Sequence, residues 1–164
     1  MTITAEKNGP LAGLPAATLT RILDEGYGPG AWFGSNMQTA LAGVTAADAF
    51  RRPAPGRHNI AEIALHHAYW AHQIQKKLTG AEAGAFPLEG EDWFELAGES
   101  PLPWERIRET VAAAHQGLAK AIVAIGADQL RSPLGEVERF DLVIGITGHA
   151  AYHAGQIQLV KKLL

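Results

Sequence analysis

Apolar residues recur along this chain with the spacing of one helix face, and no stretch alternates with the two-residue period of a half-buried strand. The pattern predicts four long helices. The first is expected over Ala31 to Ala42, with Trp32, Met37 and Leu41 on its face, after a shorter helical piece in ATLTRILDEG that the breakers of GYGPG cut off. The second starts behind Asn59, a side chain able to cap free amides, and runs from Ile60 to about Leu78 before Gly80 stops it. Ser100 and two prolines introduce the third, through Trp104, Ile107, Val111, Leu118 and Ile122 to Gly126. Asp141 is expected to cap the fourth, which continues to the last residue.

Four amphipathic helices with connections of very different length point to an all-α fold, a four-helix bundle with a long crossover. The length suits one domain over 1–164, with 1–15 as a flexible leading segment. A formal charge of -3 without a long basic run gives no electrostatic source for binding nucleic acid or an anionic membrane. The chain contains no cysteine, which removes disulfides, thiolate ligands and cysteine nucleophiles. It also shows neither a signal peptide nor an apolar run long enough to span a membrane, so a cytoplasmic location is expected.

On the fourth helix one stripe reads Leu142, Ile146, His149, His153, Ile157, Val160 and Leu164. The i, i+4 spacing places two imidazoles on adjacent turns of one face, able to converge on one ion about 2 Å from each nitrogen. The plainer reading is a pair of core histidines bonded to backbone, and a third ligand decides between them. The second helix offers His66, His67 and His72. His72 falls on the polar flank and is expected in solvent, His67 lies nearest the centre of the stripe of Ile60, Ile63, Ala64, Ala71 and Ile74, and His66 stands at its edge. Periodicity slightly favours His67. Two histidines from one helix and one from another would leave coordination positions open, as catalytic metals require, while HAAYH lacks the glutamate of the HExxH metalloproteases. Imidazoles must be neutral to bind metal, and near their reference pKa of about 6.5 acid would compete, so affinity is expected to fall between about pH 7 and 5.

NIAEIALHHAYW, followed some eighty residues later by GHAAYHAGQIQLVKK, resembles the DinB/YfiT-like superfamily of four-helix metalloproteins, which is unrelated to the DNA polymerase called DinB. The resemblance implies a divalent metal, nickel or zinc, held by one histidine of the second helix and both of the last. The family's His-x-Ala-x-Trp register places the first of these at His66, beside His149 and His153, against the preference from periodicity. Relatives include thiol-dependent S-transferases using bacillithiol or mycothiol and a mycothiol-dependent maleylpyruvate isomerase. The implied function is thus a metal-dependent transferase or hydrolase acting on a small molecule, with a low-molecular-weight thiol as co-substrate and a homodimer as the assembly. The alternative is a stress-associated dimeric protein that binds a metal or small ligand without turnover. One departure stands out: where similar proteins carry AWHG, this chain has AWFG, with Phe33 in place of the histidine.

Other residues are placed by position. Glu62, one turn before His66, is a candidate to orient a ligand or activate water, against a plain solvated glutamate. Trp70, Tyr152 and Gln156 flank the histidines and are candidate substrate contacts. His115 reads as a satisfied core-edge residue and His58 as a surface one, while Trp93 and Phe94 are candidates to lid a pocket or meet a second subunit.

Overall fold

The computed structural model describes residues 14–28, 30–80 and 84–164, so most of the expected flexible segment 1–15 lies outside the described residues. The described chain is all helical: α1 (Ala16–Tyr27), α2 (Met37–Leu41), α3 (Ala46–Phe50), α4 (Ile60–Thr79), α5 (Trp104–Gly126) and α6 (Glu136–Leu163). The long helices α1, α4, α5 and α6 form a ring in which α4 packs on α5 and α6, and α1 packs on the same two. None of the described helices is long and apolar enough to cross a membrane.

Local chemistry sets the ends of α4 as expected. Asn59 accepts the Glu62 amide at 2.9 Å, and Gly80, at φ 63, takes the left-handed conformation that closes a helix C-terminus. Ten consecutive residues from Ile60 to Tyr69 are buried, because α4 meets α3, α5 and α6 and has little free face. In α5, Trp104, Ile107, Val111, Leu118 and Ile122 all turn inward, as their spacing requires.

Two expectations are corrected. The first long helix is α1, and the span from Ala31 to Ala42 holds only the five residues of α2. Trp32 and Phe33 are 91% and 48% exposed, so they do not form a core face. Gly30 and Gly34 adopt φ of 85° and 125°, and helix starts again only at Asn36, whose side chain accepts the Thr39 amide while Thr39 Oγ1 accepts the Asn36 amide. The last helix begins at Glu136, not behind Asp141. Glu138 accepts the Gly135 amide at 2.9 Å, and two glutamates in the first turn complement the helix dipole.

The ring closes tightly where the histidines lie. Gly26 of α1 meets α6 so closely that a Cβ there would stand 2.9 Å from both Ala150 Cβ and the Thr147 carbonyl. Glycine is required at this crossing because α6 brings its backbone against α1 one residue from His149.

Candidate metal centre

His66 on α4 and His149 and His153 on α6 come together, with ligand nitrogens within 4.8 Å of one another. Nε2 of His149 lies 3.1 Å from Nε2 of His66 and 3.1 Å from Nε2 of His153. The i, i+4 spacing supplies the second pair, and the contact of α4 with α6 supplies the first.

The outward nitrogens are committed elsewhere. His66 Nδ1 donates to the Asp92 carbonyl at 2.9 Å and lies 3.1 Å from the Asp92 carboxylate. His153 Nδ1 donates to Gln156 Oε1 at 2.6 Å, and His149 Nδ1 faces Nδ1 of His67 at 3.2 Å. A neutral imidazole has one N–H and one lone pair, so His66 and His153 both turn a lone pair inward. A single proton on His149 could satisfy one of these and not both. Such a donor set fits a cation about 2 Å from each nitrogen, and outer partners of this kind fix the tautomer of a ligating histidine.

Burial also keeps the cluster uncharged. It pushes His149 down to about 4, with further lowering from His153 and His66, and His153 likewise to about 4, against a smaller opposing effect of the Gln156 bond. Burial lowers His66 as well, partly opposed by Asp92. Neutral imidazoles near pH 7 are the ligand form.

Asp92 belongs to the connection between α4 and α5. Its backbone is left-handed at φ 64, and its carboxylate accepts the Trp70 indole N–H at 2.6 Å. The neighbouring Trp93 is sandwiched between His58 and His66, with ring centroids 3.8 and 3.9 Å away. Glu62 anchors this connection. Its carboxylate, 1% exposed, accepts the Leu96 amide at 2.9 Å and His58 Nδ1 at 2.9 Å and pairs with Arg52, while Asn59 Nδ2 donates to the Leu96 carbonyl at 2.6 Å. Burial raises the Glu62 carboxyl, but the Leu96, Arg52 and His58 contacts outweigh it and hold the group below its usual range.

The solvated reading of Glu62 is therefore corrected: the side chain is buried, and its partners are Arg52, His58 and Leu96 rather than any of the three histidines. Trp70 is half-buried and committed to Asp92, Gln156 is committed to His153, and Tyr152, 64% exposed, stands edge-on to the His153 ring. Trp93 covers His66, but Phe94 is 6% exposed and packs with Tyr69 and Phe86, so it is core and not lid. His72 is half-buried, not solvated, with Nε2 donating to the Gly84 carbonyl. His115 is satisfied by Asp24, as expected. Sequence reasoning missed Asp92 as the partner of His66. The only local signal was its place before the singled-out Trp93, and an acidic loop residue carries no periodicity.

A family model described as the DinB superfamily matches residues 31–157, more than half of the chain. No curated protein and no solved structure matches it.

Proposed function

Because the chain belongs to the DinB superfamily, we propose that His66, His149 and His153 bind one divalent transition-metal ion, nickel or zinc, in a metal-dependent enzyme that acts on a small molecule as a thiol-dependent transferase or a hydrolase. Two copies pair, and the protein works in the cytoplasm, a location suited to a chain without cysteine. One observation carries the metal reading: the Nδ1 atoms of His66 and His153 are spent on outer acceptors, leaving their Nε2 lone pairs turned toward a common centre with His149. Three imidazoles suit nickel or zinc better than magnesium or calcium, which prefer oxygen. When bound, such an ion supplies Lewis acidity that makes a nucleophile available from a thiol or water near neutral pH.

The chain's own residues do the rest. Asp92 and Gln156 hold the rings of His66 and His153, Trp93 covers His66 from one side, and Tyr152, beside His153, offers an aromatic contact to a substrate. A second reading, metal binding without turnover, is favoured by the carboxylates near the cluster: Glu62 is occupied by Arg52 and Leu96, and Asp92 by Trp70 and His66. Neither is free to move a proton.

Metal content and thermal stability of protein purified without a histidine tag test the shared premise. Stabilisation by nickel or zinc at about pH 7.5, where imidazoles are neutral, is expected, and its absence with every transition metal tried would refute the site. A turnover screen of thiols against electrophiles, with and without the ion, then separates enzyme from binder.

A further inference from the structure

His149 can offer Nε2 to an ion only if its Nδ1 carries the ring proton. That Nδ1 lies 3.2 Å from Nδ1 of His67, so His67 must accept there and carry its own proton on Nε2. His67 is 4% exposed in the middle of α4, where an unpaired N–H is costly. A destination for it exists. His67 and His115 line one cavity of about 10 Å³ inside the helix ring, together with Tyr27 and apolar groups such as Leu23, Leu118 and Ile146. On its far side, His115 meets Asp24 Oδ1 through Nε2 at 3.0 Å and is stacked on Tyr27 at 4.1 Å. A carboxylate only accepts, so His115 donates from Nε2 and its Nδ1 is a lone pair. Beside this small space His67 thus has a donor to place and His115 an acceptor to fill, and its size is about that of one water molecule.

We infer that one buried water joins the His67 Nε2–H to His115 Nδ1, so that hydrogen bonds run in one direction from His149 through His67, the water and His115 to Asp24, and that this chain holds His149 as an Nε2 ligand. The inference rests on the reading of His149 as a ligand. His67 and His115 are positioning residues, since they act on the ion only through His149. The chain leaves the core at α1, where the Asp24 side chain is 49% exposed. It also gives a use to the second histidine of HHAYW, which sits behind the ligand set rather than in it.

Two measurements on the zinc-loaded protein test it. Nitrogen-15 NMR of the natural chain should find His67 and His115 both as Nε2–H tautomers, and a His67 proton on Nδ1 would overturn the chain without any variant. Zinc dissociation constants, by chelator competition, are then compared for the natural chain, Asp24→Ala, His115→Phe, His67→Leu and the double variant His67→Leu/His115→Phe. His115→Phe should weaken binding about tenfold or more, and Asp24→Ala, at a half-exposed position that the fold tolerates, should weaken it in the same direction. The double variant should bind no worse than His67→Leu alone, because without His67 there is no N–H for the water to accept. Additive losses, or natural affinity in His115→Phe, overturn the relay and leave the three-histidine site standing. Equal zinc affinity in the natural chain and His149→Ala would instead remove the ligand reading, and the relay with it.

Discussion

Burial makes His149 and His153 weak bases, and the direction of the resulting pH dependence follows. Both titrate near 4 in the folded chain, against about 6.5 for an imidazole in an unfolded one. Between these values the unfolded chain takes up protons that the folded chain refuses, so the metal-free protein should be fully stable above about pH 6.5 and lose stability as pH falls toward 4. Denaturant unfolding across that range checks it, and a midpoint that does not move would contradict the burial argument. The same shift moves acid competition for the ion to lower pH than the reference imidazole implies, so the fall in affinity should be displaced downward from the window of about pH 7 to 5. His66→Ala is expected to abolish zinc or nickel binding. Asp92→Ala, which leaves the ligands intact and frees the His66 ring, should weaken it by about 10- to 100-fold in chelator competition.

Two junctions between elements deliver these residues. The connection between α4 and α5 carries Asp92 and Trp93 to His66, and it is tied to α4 by the Glu62 and Asn59 bonds to Leu96. Arg52→Met removes the cation facing a carboxylate that is 1% exposed, and is expected to cost about 1–3 kcal/mol in denaturant unfolding. A larger loss of metal affinity than Ile107→Ala, a buried change elsewhere in the core, would tie this anchor to the site. The second junction is the α1–α6 crossing. Gly26→Ala puts a methyl group 2.9 Å from Ala150 Cβ, so the helices must separate beside His149, at an expected cost of about 1–3 kcal/mol. Unchanged stability would show that the crossing yields freely.

For the whole molecule, the proposed pairing and metal binding can each be measured. Ile144, Tyr152, Leu159 and Leu163 on α6 are 47%, 64%, 59% and 61% exposed, apolar side chains on the helix that also carries two of the histidines. Such a face supports the proposed homodimer. Light scattering at micromolar concentration should give a mass near twice the 17.5 kDa chain, and a mass of one chain would refute pairing. An ion at a hundred times its Kd should add about 2.7 kcal/mol to folding, read as a raised Tm that chelator reverses.

Helix type and most long-helix boundaries were legible in the sequence because they depend on neighbours along the chain: Asn59 and Gly80 bracket α4 by capping, and the apolar spacing of α5 dictates its buried face. HAAYH was legible for the same reason, since i, i+4 spacing alone puts two rings on one side. The exposure of Trp32 and Phe33 was not, because an aromatic residue in an irregular turn has no period to show whether anything covers it. Periodicity slightly favours His67 over His66, and it is His66 that the structure groups with His149 and His153. Adjacent on α4, His66 and His67 reach opposite nitrogens of the same ring, His66 facing Nε2 of His149 and His67 facing Nδ1. Only the packing of α6 against α4, and the loop that brings Asp92 to His66, separates the inner nitrogen from the outer. Those contacts join residues 26 and 83 positions apart, a distance over which local patterning carries no information.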